Sequence, residues 1–274
     1  MSGKMQLGII TGLSEDLEEK FEKIAGMGLT TCQVGGWELE RYNDANVKML
    51  KDASARHGIK VTSIWAGCAG PGEWNFVGGP ATIGLVPPEY REMRVKGLKA
   101  GANFAAACGI SSITTHCGFI PESISDPLWE GTVAAIKAVG DHCKSLGLWF
   151  NFETGQETPV TLLRVIKTIN SGNLGVNIDP ANLLMYGKAN PVDALDILGP
   201  YVKGVHAKDG EYPTDPDNLG VEKPLGEGRV NFSVFIAKLK SFGYEGALTI
   251  EREISGPQQI VDIKRAIELL TPLL

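Results

Sequence analysis

Two kinds of hydrophobic pattern alternate along the chain. Short apolar runs are followed by longer stretches whose apolar residues recur three and four positions apart, the spacings of strands and helices respectively. Met5–Thr11, Thr30–Val34, Lys60–Trp65, Ser111–His116, Leu148–Glu153, Leu174–Asp179, Val202–His206 and Ala247–Glu251 read as strands. Helical spacing fills Glu15–Met27, Ala45–His57, Glu89–Cys108, Pro127–Leu146, Pro159–Ile169, Ala181–Leu198, Phe232–Phe242 and Gln258–Leu273. Ser14 is an N-cap candidate for the first helix, Gly58 stands where glycine commonly ends a helix, and Pro191 breaks the helix after Ala181. Two long connections remain, 66–88 and 207–229. Alternating strand and helix implies a parallel sheet covered by helices. Eight such units in 274 residues favour closure into a single (β/α)8 barrel over a doubly wound open sheet. No linker-like or low-complexity stretch divides the chain, so residues 1–274 are expected to form one domain.

Composition narrows the partners. The net charge is -6 and the pI about 5.4, which argues against nucleic acid or an anionic membrane, since phosphate binding needs excess Lys and Arg. Nothing approaches membrane-spanning length, and the start, MSGKMQLGII, lacks a signal-like apolar core. The five cysteines are odd in number and scattered without a CxxC, which fits buried free thiols in a cytoplasmic protein. No GxGxxG or GxxxxGK[ST] occurs, so nucleotide binding has no support.

The chemistry sits at the strand ends. Four successive runs, WFNFE, LGVNID, VKGVH and ALTIE, finish on Glu153, Asp179, His206 and Glu251. In a β/α barrel these ends converge on one face. Three carboxylates and an imidazole at one point need a counter-charge, and one divalent metal ion is the usual one. An oxygen-rich donor set suits Mn²⁺, Mg²⁺ or Co²⁺, with Zn²⁺ as an alternative.

These residues, with the phrases HAKDG (His206–Gly210) and PLGEGRVNF (Pro224–Phe232), resemble the xylose-isomerase-like barrel superfamily of sugar isomerases and epimerases, which also includes endonuclease IV. The resemblance covers the whole chain. It implies the metal ligands of the ketose 3-epimerase branch at Glu153, Asp179, His206 and Glu251, with the two glutamates also moving protons on the two substrate faces. Two departures matter. Asn182 stands where a histidine is usual three residues after the strand-six aspartate, and Trp65 ends the third strand where endonuclease IV supplies a histidine. With only four histidines in all, a trinuclear zinc site and DNA repair are not expected.

Other candidates surround this set. His116, in THCGFIPE, is either a packed residue or a substrate-facing donor or base, and its phrase resembles barrels acting on 3-oxo-glycosides. Asn182, Lys208, Trp65 and Arg229 are expected to bind substrate. Trp37 could stack on a sugar, and Trp74 and Phe76 could cover the site or form a homo-oligomer contact. Glu157 is expected to cap the following helix, while His57 and His142 read as structural. The expected activity is metal-assisted proton transfer beside a sugar carbonyl, in an isomerase or epimerase. A lyase or hydratase of a 3-oxo-glycoside or inosose is the alternative, and a sugar-binding barrel without turnover a second one.

Overall fold

A computed structural model describes residues 5–274; residues 1–4 of the N-terminal segment lie outside it. Strands β1 (Gln6–Gly12), β2 (Thr31–Gly36), β3 (Lys60–Ala66), β4 (Ser112–Thr115), β5 (Trp149–Glu153), β6 (Leu174–Ile178) and β7 (Val202–Ala207) come first along the chain. A small ribbon, β8 (Asp209–Gly210) and β9 (Glu222–Lys223), precedes β10 (Ala247–Ile250). Strands β1–β7 and β10 close into a parallel barrel, with β10 between β7 and β1. The chain is thus a single (β/α)8 barrel. The helices are α1 (Leu17–Gly26), α2 (Asp44–His57), the short α3 (Gly79–Thr82), α4 (Pro88–Cys108), α5 (Trp129–Ser145), α6 (Pro159–Ile169), α7 (Pro180–Met185), α8 (Pro191–Leu198), α9 (Phe232–Ser241) and α10 (Pro257–Leu270).

Local chemistry explains most boundaries. Helix α6 starts because Pro159 needs no N–H partner and Thr158 accepts from the Thr161 amide. Its buried stripe, Leu162, Val165 and Ile166, is the i, i+3, i+4 pattern turned to the barrel. The Asn190 side chain accepts from the amides of Val192 and Asp193, which restarts helix at Pro191 as α8. Gly58 takes φ 65° and ends α2.

Two expectations about caps fail. Asp16, not Ser14, precedes α1, and the Ser14 hydroxyl instead bonds back to the Gly12 carbonyl and to Asp16. Glu157 does not cap α6; Thr158 does, and Glu157 is buried with Oε2 unpartnered.

The two long connections carry structure of their own. Segment 67–87 folds inward around α3, anchored by Arg94 of α4. That guanidinium donates from Nε to Ala69 O, from Nη1 to Gly84 O and from Nη2 to Pro71 O, at 2.7–2.9 Å. Gly84 (φ 71°) permits the approach, because a Cβ there would lie 2.1 Å from the Cys117 carbonyl carbon. In the second connection Asp209 gathers the amides of Gly226, Gly228 and Val230, and so folds the GEGR loop back onto the ribbon.

Candidate metal centre and sugar site

Alternation along each strand sends every second side chain into the barrel. Asn151 and Glu153 on β5 therefore share the inner face, as do Asn177 and Asp179 at β6, Gly204 and His206 on β7, and Thr249 and Glu251 at β10. The register sets Glu153 beside Asn177, Asn177 beside Gly204 and His206 beside Thr249. Ligand atoms of Glu153, Asp179, His206 and Glu251 consequently lie within 4.8 Å of one another. All four expected residues are brought together.

The imidazole is the centre of the cluster. His206 Nδ1 is 3.0 Å from Glu153 Oε1, 3.0 Å from Glu251 Oε2 and 3.9 Å from Asp179 Oδ2. Its Nε2 lies 2.9 Å from Gln33 Oε1 on β2. Gln33 Nε2 in turn donates to Asn177 Oδ1 at 2.9 Å, which leaves Oε1 as the acceptor for a His206 Nε2–H. A Cβ at Gly204 would collide with Asn177 Oδ1, so glycine on β7 makes room for this chain of bonds. Gln33 was invisible as a functional candidate; a polar residue inside the fully buried run TCQVGG was the only signal.

Do these residues fit a metal? With Nε2 donating, neutral His206 presents a lone pair at Nδ1 to three carboxylates, an arrangement that calls for a cation between them. Asp179 Oδ2 and Glu251 Oε2 are buried and make no hydrogen bond, although Glu251 Oε2 comes within 3.0 Å of the imidazole. Asp179 uses its other oxygen to accept from the Asn182 amide at 2.8 Å, capping α7. Among the described residues Lys208 is the lysine that reaches this cluster, its Nζ 2.7 Å from Glu253, 3.7 Å from Glu251 and 3.9 Å from Asp179. A divalent ion together with this ammonium would match the three carboxylates. The donor set fits one hard ion.

The protons of the cluster answer to the same geometry. Burial opposes a charged His206, but Glu153 and Glu251 outweigh it and hold its pKa well above the ordinary value. Burial raises Asp179, with Glu251 and Glu153 adding to the rise against the pull of Lys208 and His206. Burial also opposes charge on Glu153, yet His116 and His206 prevail and keep its pKa well below the usual carboxylate range.

Around the cluster lies a cavity of about 520 Å³, lined by Glu153, Glu251, Asn182, Trp65, His116 and Glu253 among others. Three groups hold Glu153 from above the barrel: the Trp65 indole N–H donates to Oε2, Asn182 Nδ2 approaches Oε1 at 3.4 Å, and His116 Nε2 lies 3.4 Å from Oε1. His116 Nδ1 is buried without a partner. Lys208 is buried beneath Asn182, whose Oδ1 it reaches at 3.3 Å, and does not line the cavity. Arg229 departs from expectation: its side chain is exposed and does not line the cavity, and its amide bonds to Gly210 O where Asp209 folds the loop back onto the ribbon. Trp37 packs against Trp65 at 4.4 Å with the rings tilted by 40°, and Trp74 meets His116 edge-on at 5.2 Å. His57 and His142 sit far from this region, paired with Glu18 and Asn103.

The chain is thus a closed parallel barrel that carries a candidate metal centre of three carboxylates and an imidazole at its strand ends. Residues 21–273 match the family of xylose isomerase-like TIM barrels, and the chain belongs to that family. The structure is similar to a xylose isomerase domain protein from Planctomyces limnophilus, with 34% identity, TM-score 0.92 and coverage of 98% of this chain and 97% of that one. A D-tagatose 3-epimerase-like protein shares the fold at 22% identity, with TM-score 0.76 and coverage of 98% of both chains. So does the 3-keto-D-glucoside 4-epimerase of E. coli, at 18% identity and TM-score 0.71, covering 98% of this chain and 100% of that chain.

Proposed function

We propose that this protein is a divalent-metal-dependent sugar isomerase or epimerase that moves a proton beside a sugar carbonyl. The observation that carries the reading is that Glu153 and Glu251 both line one cavity and both lie 3.0 Å from the same imidazole nitrogen. One bound sugar would reach both carboxylates. When bound by Glu153, Asp179, His206 and Glu251, a divalent ion supplies Lewis-acid polarisation of the carbonyl. Glu153, oriented by Trp65 and Asn182 and held ionised by His116 and His206, takes the α-proton. Glu251 delivers a proton to the opposite face in an epimerase. Asn182 and His116 bond the sugar hydroxyls from the cavity wall. The names of structural neighbours, D-tagatose 3-epimerase-like protein and 3-keto-D-glucoside 4-epimerase, support the same chemistry.

A second reading, elimination from a 3-oxo-glycoside or inosose, is favoured by one observation: the unpartnered His116 Nδ1 is free to protonate a leaving group. Screening ketoses, inososes and 3-oxo-glycosides with Mn²⁺ by NMR in D₂O separates the two. Deuterium at a retained ring carbon marks epimerisation, and release of an aglycone or water marks elimination. A purified protein that binds no divalent ion on titration overturns both.

A further inference from the structure

Lys208 follows His206 by two residues, so alternation carries both side chains to the inner side of the barrel. It is 1% exposed and does not line the cavity. An ammonium so deeply buried persists only where oxygens surround it. Around its Nζ lie Glu253 Oε1 at 2.7 Å, Asn182 Oδ1 at 3.3 Å, Glu251 Oε2 at 3.7 Å and Asp179 Oδ2 at 3.9 Å. These contacts are unequal. The short one goes to Glu253, which is not among the four candidate ligands and whose side chain is 55% exposed. The two long ones go to the ligand oxygens that make no hydrogen bond. Glu253 is itself anchored, since its amide donates to both oxygens of Glu222, which pairs with Arg252 at 2.9 Å. Its carboxylate thus holds the ammonium off Asp179 and Glu251 while leaving it close enough to act on both.

We infer that Lys208 is the built-in counter-cation of this centre. It offsets part of the repulsion between Asp179 and Glu251, and it weakens their hold on a divalent ion by competing for the same two carboxylates. Glu253 sets the balance by keeping the ammonium at its own oxygen. Lys208 is therefore a positioning residue, out of reach of a substrate in the cavity. This rests on the metal centre proposed above, so the test reads ion binding and folding rather than turnover.

Mn²⁺ is titrated calorimetrically into the full-length parent, Lys208→Met, Glu253→Gln and the double variant, and each is melted with Mn²⁺ and with chelator. Lys208→Met should bind Mn²⁺ about ten- to hundredfold more tightly. Its midpoint should fall in chelator, and the gap between the Mn²⁺ and chelator midpoints should widen. A residue that only fills space would lower both midpoints equally. Glu253→Gln, at an exposed side chain, should bind several-fold more weakly, and in the double variant that loss should largely disappear, because Glu253 acts through Lys208. If Lys208→Met does not fold, Glu253→Gln decides alone: unchanged or tighter binding overturns the assignment. Unchanged or weaker binding in a folded Lys208→Met, or a Glu253→Gln effect equal in both backgrounds, overturns the counter-cation and leaves the metal centre standing. No Mn²⁺ binding by the parent or any variant overturns both.

Discussion

Glu153 is the residue on which the site turns, since Trp65, Asn182, His116 and His206 all converge on its two oxygens. Glu153→Gln and Glu251→Gln keep a similar volume and remove the base; turnover in the D₂O assay should fall by at least about two orders of magnitude while the circular dichroism spectrum is unchanged. Gln33 acts one step further out. Gln33→Leu leaves His206 Nε2 without its acceptor, and metal affinity measured by calorimetry should drop about 10- to 100-fold. Glu157 gives a pH signature of its own. Burial pushes its carboxyl up to about 7, against the partial relief of His116. The folded chain therefore holds a proton that the unfolded chain releases near pH 4.5, and stability contributed by this group declines between about pH 4.5 and 7. Between pH 5 and 8 the parent protein should lose up to about 3 kcal/mol more than Glu157→Gln in chelator-treated denaturant titrations. Equal pH slopes would show that the carboxyl is not perturbed. The four candidate ligands were legible because each closes an apolar run with a titratable side chain. Gln33 and the buried Glu157 carboxyl were not, because their roles depend on neighbours across the barrel.

At the level of elements, segment 67–87 is held by one side chain. Arg94→Met removes three hydrogen bonds to Ala69, Pro71 and Gly84 carbonyls and leaves those carbonyls without their donor. Limited proteolysis should then cut between residues 67 and 87 well before the parent is cleaved, and the transition midpoint should fall by several degrees, as expected for a loss of about 3 kcal/mol. Helical periodicity revealed α4 but could not single out Arg94 from other helix-borne arginines. The same limit applied to Arg229, where the GEGR phrase pointed to the site while the Asp209 amide bonds fold that loop onto the ribbon and the Arg229 side chain is exposed. Strand ends were read to within a residue or two, since polar positions follow directly on buried runs. The ribbon β8–β9 is too short to leave any pattern.

For the whole molecule, closure of the barrel would make the proposed metal centre part of the fold's stability. Its candidate ligands come from four adjacent strands or strand ends, so an ion that binds only the closed barrel would stabilise it by mass action. At a hundredfold excess over the dissociation constant the gain is about 2.7 kcal/mol. For a chain of this size, Mn²⁺ should raise the thermal midpoint by roughly 5–10 °C, reversed by chelator; a midpoint indifferent to divalent ions would remove the metal from the site. Eight strand–helix units were plain from the sequence and favoured closure over an open doubly wound sheet, and the strand pairing shows a closed barrel. No described helix is long and apolar enough to cross a membrane.

The indole bond from Trp65 to Glu153 also gives this molecule an optical reporter. Any ligand or ion that draws Glu153 toward itself changes the surroundings of a buried indole that is coupled to Trp37 at 4.4 Å. Tryptophan emission should therefore shift on metal loading, and Trp65→Phe should abolish most of that shift. Occupancy of the centre then becomes readable in seconds, without label or substrate.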